Sequence, residues 1–287
     1  MTKQLKFNTG FLVNHTFFQN DAHRQHKAFA KYHGNGNDFI IFDALKGPSL
    51  LWLVKNAGIL CDRHRGIGAD GIISLSLQED CFHMSVINAD GTLAKNCGNG
   101  LRCAALHIFK TLGIAKSKIE LFERIFFCTY QDGKISVEMG DCQVTPSDDL
   151  VHKLGPVKTA MVAMGNQHQV LFFPEPVYQY DSVVSDIISH RDHEDNIGFV
   201  FEQGSGSFFS MVYERGVGFT NSCGSGACAA ACFLAVLFPE KISQEMVITQ
   251  PGGELKIKVA LKNRSSTSTT FTVLQVGEAE EVFTGIC

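Results

Sequence analysis

Cys97-Gly98-Asn99-Gly100 and Cys223-Gly224-Ser225-Gly226 are two versions of one phrase, and the way each is continued decides the fold. After Gly100 come Leu101, Ala104, Ala105, Ile108 and Phe109, spaced for the buried stripe of a helix that ends near Gly113. After Gly226 the chain runs from Ala227 to Phe238 and meets Pro239, which stops a helix. This second helix is apolar almost all round, through Ala229, Ala230, Ala231, Cys232, Phe233, Leu234, Ala235, Val236 and Leu237, so it belongs inside a sheet. The two copies are far enough apart for a compact domain each. An internal repeat follows: two related halves, each presenting one cysteine at the start of a central helix.

Around these helices the sequence reads as short β-rich runs between Gly, Asp and Asn turns, for example Phe39-Ile40-Ile41-Phe42 and Ile72-Ile73-Ser74-Leu75. The turn formers between Gly140 and Gly155, including Pro146-Ser147-Asp148-Asp149, mark the boundary between halves, and Ser265 to Thr270 reads as a loop between strands. Residues 1–27 resemble neither half and form an N-terminal extension.

The chain has 287 residues, 45% of them hydrophobic and 19% charged, which suits a large globular core. A net charge of -4 gives no electrostatic footprint for nucleic acid, so a small molecule is the expected partner. No long uncharged apolar run signals a membrane span, and the first 27 residues lack the apolar centre of a signal peptide, so no membrane partner and a cytoplasmic location are expected. Ten cysteines without Cys-x-x-Cys spacing read as reduced thiols, with no metal expected. Cys61, Cys103, Cys128, Cys142 and Cys232 read as small apolar fillers.

Cys97 and Cys223 differ from these by position. A helix N-terminus carries unpaired N–H groups and partial positive charge, which favour a bound carboxylate. Flanking glycines let that backbone approach a ligand. The same field is expected to lower a thiol pKa from about 8.5 toward neutrality. Two such turns face to face would put one base on each side of a single carbon, which is what stereoinversion without a cofactor requires. A cysteine in one Gly-rich turn is often only a small residue that fits; two in repeated context shift the balance toward function.

The wider pattern resembles the diaminopimelate epimerase family. The resemblance runs through His33-Gly34-Asn35-Gly36-Asn37-Asp38-Phe39, then Asp62-Arg63-His64-Arg65-Gly66-Ile67-Gly68-Ala69-Asp70-Gly71, then Asn88-Ala89-Asp90-Gly91 leading to Asn96-Cys97-Gly98-Asn99-Gly100-Leu101-Arg102-Cys103. It continues through Gly165-Asn166-Gln167-His168 and Glu214-Arg215-Gly216-Val217-Gly218 to Cys223-Gly224-Ser225-Gly226-Ala227-Cys228. It implies an α+β fold of two pseudo-symmetric domains, each a rolled mixed β-sheet around a central helix, with the site in the cleft between them. The domains would span 28–142 and 143–270, with the C-terminal segment 271–287 returning to the first. Cys97 and Cys223 would be the catalytic pair, with His168 and Glu214 assisting. Asn37, Asn88, Asn166, Asn196, Glu214 and Arg215 would hold an amino-acid substrate, with Gly98, Asn99, Gly224 and Ser225 as anion cradles. The family also implies no cofactor and a homodimer.

Three positions depart from the family pattern: Gln167 where Pro is usual, Phe219 where Glu commonly precedes Thr220, and Gly71 where some members place a substrate-contacting Gln. They bear on substrate choice more than on reaction type. The nearest rival reading is an epimerase of another amino acid, of glutamate or proline type, in the same fold. From a different class come a non-catalytic amino-acid-binding protein and a thiol redox sensor.

Overall fold

A computed structural model of the chain describes residues 27–147, 157–174, 184–185, 187–188, 195–204, 207–215 and 217–287; the expected N-terminal extension lies outside them except for Lys27. Seven strands build the first half: β1 (Ala28–Gly34), β2 (Asn37–Asp43), β3 (Gly71–Gln78), β4 (Cys81–Asn88), β5 (Leu93–Ala94), β6 (Lys116–Leu121) and β7 (Arg124–Gln131). The long strand β8 (Lys134–Ser147) follows. Then come β9 (Lys158–Ala163), β10 (Gln167–Phe173), β11 (Asn196–Glu202), β12 (Phe208–Glu214), β13 (Gly218–Thr220), β14 (Glu245–Gln250), β15 (Gly253–Arg264), β16 (Thr269–Gly277) and β17 (Glu280–Ile286). Among the described residues they are accompanied by the helices α1 (Leu50–Cys61), α2 (Gly98–Leu112) and α3 (Gly224–Leu237).

The pairing pattern occurs twice. β1–β2 is antiparallel, β2–β3 parallel, β3–β4 and β4–β5 antiparallel, and β4–β6 parallel on either side of α2. β9–β10, β10–β11, β11–β12, β12–β13 and β12–β14 repeat those senses in the same order around α3. β17 closes on β1, as β8 closes on β9. The second set forms a ring, because β14, β15 and β16 lead back to β8. β8 belongs to both halves: its first residues pair with β7 and its last with β9, while β16 follows it with a register shift near Gly140.

Strand alternation explains the layers. Phe39 and Ile41 of β2 face the core that encloses α2, whereas Ile40 and Phe42 turn outward to meet Leu53, Ala57 and Leu60 of α1. The second ring has a counterpart, since Val184 and Ile187 cover Leu171, Phe173 and Phe199 on its outside. Each fully buried Leu or Phe of this kind contributes about 2 kcal/mol. α3 is buried from Gly224 to Ala235, as its all-round apolar sequence predicts.

Two expectations are corrected. Helix α1 is an addition to the two helices expected: exposed Leu50, Leu51 and Ile59 blur its inward stripe of Leu53, Ala57 and Leu60, although Ser49 caps it by accepting from the Trp52 N–H at 3.3 Å. The turn-rich stretch that begins at Gly140 is strand as far as Ser147, because Cys142 and Val144 alternate into the core. Its continuation at 148–155 lies outside the described residues.

One polar knot ties β1, β2 and the loop after α1. Asp38 accepts from Lys31 Nζ at 2.7 Å and from both Arg63 terminal nitrogens at 3.0 and 2.8 Å, while Lys31 also donates to the Gly68 carbonyl. Burial alone would raise the Asp38 pKa, but hydrogen bonds from Arg63 and Lys31 outweigh it and hold the carboxyl well below the usual range. A depressed folded pKa contributes stability above about pH 4, the unfolded value, and loses it as pH falls toward the folded one. Asp38→Asn leaves buried Lys31 without its carboxylate and is expected to cost about 3 kcal/mol at pH 7. In urea titrations the gap to wild type narrows as pH drops below about 4, because wild type loses the same contribution.

Candidate active site

Both cysteines stand at helix N-caps, and the two helices meet end to end. Cys97 opens α2 with φ −157° and ψ 87°, and its Sγ accepts from the Gly100 N–H at 3.3 Å. Cys223 opens α3 with φ −121° and ψ 105°. Between the turns there is no room for a side chain: a Cβ on Gly224 would lie 3.3 Å from Gly98 Cα, and a Cβ on either glycine 2.9 Å from the Gln275 amide. The repeated glycines are therefore required by the approach of the two turns to one another.

A buried polar clasp holds this junction. Arg102, fully buried one turn into α2, donates to Gln275 Oε1 at 2.7 Å, Asn99 Oδ1 at 2.9 Å, Asn35 Oδ1 at 3.1 Å and the Glu278 carbonyl at 3.1 Å. Gln275 passes the link on, giving its N–H to the Gly224 carbonyl at 2.9 Å. Asn99 donates across the junction to the Ser222 carbonyl at 2.9 Å and to Asn37 Oδ1 at 3.2 Å. Gln250 accepts the Cys223 N–H at 2.9 Å and the Ser222 hydroxyl at 3.1 Å. An open groove of about 630 Å³, lined by His33, Asn35, Glu254 and Glu278 among others, borders the outer partners of Arg102 and not the two thiols.

On the α3 side, two expected residues touch Cys223, Ser225 and Glu214, and His168 reaches it through Ser225. Ser225 Oγ lies 3.5 Å from Cys223 Sγ and 3.1 Å from His168 Nε2, which also contacts Asn166 Oδ1 at 3.2 Å. Burial lowers the His168 pKa to about 4, so the ring is neutral at pH 7. Glu214 accepts from Thr220 Oγ1 at 2.6 Å and hydrogen-bonds Cys223; burial first, opposed by those bonds, leaves its pKa raised. Asn196 pairs with His168 in the parallel β10–β11 register, and its Oδ1 accepts the Arg215 N–H at 3.0 Å.

The first half supplies the remaining expected residues. Asn37 donates to Asp70 Oδ2 at 2.9 Å and meets Asn99. Asn88, across from Gly71 in the β3–β4 register, holds its own turn by donating to Thr92 Oγ1 at 2.9 Å. The Asn99 side chain is committed to Arg102, Ser222 and Asn37, so its contribution to a cradle is the backbone N–H.

The thiols reverse the expected direction of pKa shift. Burial pushes Cys97 up to about 11, with the Gly100 N–H opposing it, and burial followed by the Glu214 charge raises Cys223 well above the ordinary thiol range. Desolvation of a thiolate in this dry junction outweighs the N-terminal field. Both cysteines are therefore neutral thiols at pH 7 in this state.

Two of the three sequence departures, Phe219 and Gly71, lie beside expected site residues. Phe219 lies edge-on to Tyr213 at 5.3 Å between centroids and is half exposed, while its neighbour Thr220 keeps the Glu214 bond. A Cβ on Gly71 would stand 2.9 Å from the Ile87 carbonyl, so a side chain there requires a shifted strand. Arg102, Gln275 and Gln250 were not among the expected site residues. The two glutamines have no local signal, since a Gln in a strand reads as solvent-facing. Arg102 has one: a cation near a positive helix end opposes the helix field and calls for a tertiary reason.

The paired rolls, with a cysteine at the N-cap of each of two meeting helices, suit one class, that of the epimerases and racemases. The chain resembles a hydroxyproline epimerase from Agrobacterium vitis at TM-score 0.69, with 12% identity and coverage of 92% of this chain and 91% of that one. A probable proline racemase from Agrobacterium radiobacter K84 gives 0.68 and 12%, covering 90% of this chain and 92% of its own. At such identities the likeness concerns fold alone. Within that class the family model for diaminopimelate epimerase matches residues 29–145 and 160–280. The diaminopimelate epimerase of Thermosynechococcus vestitus is 33% identical over 90% of this chain and 98% of its own length, and that of Elusimicrobium minutum is 32% identical over 90% and 98%. This chain belongs to the diaminopimelate epimerase family.

Proposed function

We propose that the protein is a cofactor-independent isomerase that interconverts LL- and meso-diaminopimelate, a step of lysine and cell-wall precursor biosynthesis. The observation that carries the reading is the meeting of two cysteine-capped helix N-termini at Gly98 and Gly224. The substrate α-carboxylate binds the N–H groups of the two turns, where the helix ends and buried Arg102 favour negative charge. A thiolate on one side removes the α-proton. The electron pair spreads into the carboxylate, stabilised by those N–H groups, and the thiol on the other face delivers its own proton. The carbon is inverted and the two sulfurs exchange protonation states, so no net proton is consumed.

Glu214 and His168 have separate parts. Glu214 receives the substrate ammonium, and neutralising its charge removes one cause of the raised Cys223 pKa. Neutral His168 holds Ser225 and, through it, Cys223 in position. Asn37, Asn88, Asn166, Asn196 and Arg215 hold the distal amino-acid group. In this reading the two domains are 28–142 and 143–270, with 271–287 returning to the first, a division that the pairing of β17 with β1 supports. The ten free thiols suit a reducing, cytoplasmic setting, and no helix among the described residues is long and apolar enough to cross a membrane. The family resemblance supports a homodimer.

The test is proton exchange. In deuterium oxide, with reductant and no pyridoxal phosphate, the purified protein incorporates solvent deuterium at the α-carbon of diaminopimelate and converts either epimer to the same mixture. A folded, reduced protein that exchanges nothing would sink the reading. Exchange of glutamate or proline in preference, read by chiral chromatography, would move it to another substrate.

A further inference from the structure

Strand pairing brings a thiol, an imidazole and a carboxylate together on the outer face of the first roll, opposite α2. Cys81 and His83 are separated by one residue on β4, so alternation turns both to the same face, while Phe82 and Met84 enter the core around α2. β6 runs alongside in parallel, with Glu120 directly opposite His83. One donor atom from each of the three, Cys81 Sγ, a His83 ring nitrogen and a Glu120 oxygen, lies within 4.8 Å of the other two. His83 Nδ1 and Glu120 Oε2 are 3.4 Å apart.

We propose that Cys81, His83 and Glu120 form a binding site for Zn²⁺, with the fourth tetrahedral position left to water. One sulfur, one nitrogen and one oxygen donor select a borderline divalent cation over Mg²⁺ or Ca²⁺, which require oxygen sets. Bonds of about 2.3 Å to sulfur and about 2.0–2.2 Å to nitrogen and oxygen put tetrahedral ligands roughly 3.3–3.8 Å apart. The three donors reach that spacing by closing about 1 Å. Cys81 is buried and fixed by the sheet, whereas the paired His83 and Glu120 side chains are partly exposed, 37% and 34%, and can turn together toward the sulfur.

The neighbouring charges fit. Lys118, whose charge acts on the Cys81 thiol, is paired with Asp80 at 3.6 Å, and the carboxylates of Glu120 and Asp80 oppose it there. Binding releases the Cys81 thiol proton to solvent, and the metal undergoes no redox change. The absence of Cys-x-x-Cys spacing predicted no metal; here the ligands are a same-face strand pair and a cross-strand partner, a pattern set by register. β4 and β6 are the strands joined through the Cys97 turn and α2, so the ion ties together the two ends of that crossover. The proposal does not depend on the epimerase reading.

The experiment uses the full-length chain, reduced and stripped with a chelator. Titration with Co²⁺ is expected to give one equivalent with a thiolate-to-cobalt charge-transfer band in the near ultraviolet. Cys81→Ser removes that band, and His83→Ala and Glu120→Gln weaken Co²⁺ and Zn²⁺ binding by more than about 100-fold, beyond the usual effect of losing an outer-shell contact. Zn²⁺ raises the urea midpoint of wild type but not of His83→Ala, and metal-free turnover of all three variants matches wild type. A missing band, a band that survives Cys81→Ser, or His83→Ala and Glu120→Gln variants that bind as wild type would each overturn the proposal. Should Cys81→Ser fail to fold, the two partly exposed positions decide the matter.

Discussion

Cys97→Ala and Cys223→Ala are each expected to reduce epimerisation by more than about 10⁴-fold while leaving a one-sided enzyme. With one sulfur gone, the other still reaches the α-hydrogen on its own face. Each variant should therefore wash deuterium into one epimer only, without inverting it, and the two variants should act on opposite epimers. Mass spectrometry on separated LL and meso substrates reads both facts at once. The expectation rests on the two N-caps standing at one junction, where Gly98 and Gly224 leave no space between the turns. Identical exchange patterns in the two variants would mean that the sulfurs do not address opposite faces. Because burial holds Cys97 up at about 11 and Cys223 higher than an ordinary thiol, the residual exchange should rise with pH, as the thiolate fraction grows.

Arg102→Met is expected to be the most destabilising single change at the site. The guanidinium satisfies Gln275 Oε1, Asn99 Oδ1, Asn35 Oδ1 and the Glu278 carbonyl, all in a buried or nearly buried setting. Orphaned buried acceptors cost about 1–3 kcal/mol each, and partial relaxation brings the expected loss to about 4 kcal/mol. Gln275 and Asn99 are also the links that reach Gly224 and Ser222, so the loss spreads from α2 to α3. Turnover should fall by about 100-fold or more even where the variant stays folded, because a small displacement of one turn misaligns two groups acting on one atom. Arg102→Lys keeps the charge but not the planar fork, and should fall between. Urea titration and kcat measured side by side separate the two effects. A stable Arg102→Met enzyme with ordinary turnover would show that the clasp does not position the thiols.

The electrostatic role of Arg102 follows from its partners, which are three side-chain amides and a carbonyl. A buried cation held by neutral acceptors is not cancelled locally, and it lowers the Cys97 pKa against the larger effect of burial. Its charge lies beneath a junction where negative charge must form. The cost of desolvating a guanidinium is several kcal/mol, which makes the four hydrogen bonds a condition of its presence there.

Much of this was readable from residue order, and the exceptions are instructive. α2 and α3 were located by apolar spacing together with Gly113 and Pro239, signals that depend only on neighbours along the chain. α1 carries no comparable signal, because Leu50, Leu51 and Ile59 are apolar and exposed, which flattens the contrast between its faces. The stretch from Gly140 to Ser147 has the local composition of a turn, since Pro146, Ser147 and the glycine outvote a short alternation that β9 and β16 stabilise. Gln250 and Gln275 carried no sign of burial, because their partners are backbone and side-chain atoms brought from elsewhere in the chain.

What the sequence determined alone is the chemistry available: two Cys-Gly turns, each leading into an apolar helix, with the repeat that implies two similar halves. Helix starts, turn glycines and strand alternation are local consequences of backbone sterics and side-chain polarity. The tertiary structure decided where that chemistry acts. It brought the two turns into contact, dried them enough to reverse the expected direction of both thiol pKa shifts, and placed Cys81 and His83 beside Glu120. Desolvation and cross-strand proximity are properties of the packed chain, fixed by register and closure between segments that no local pattern connects.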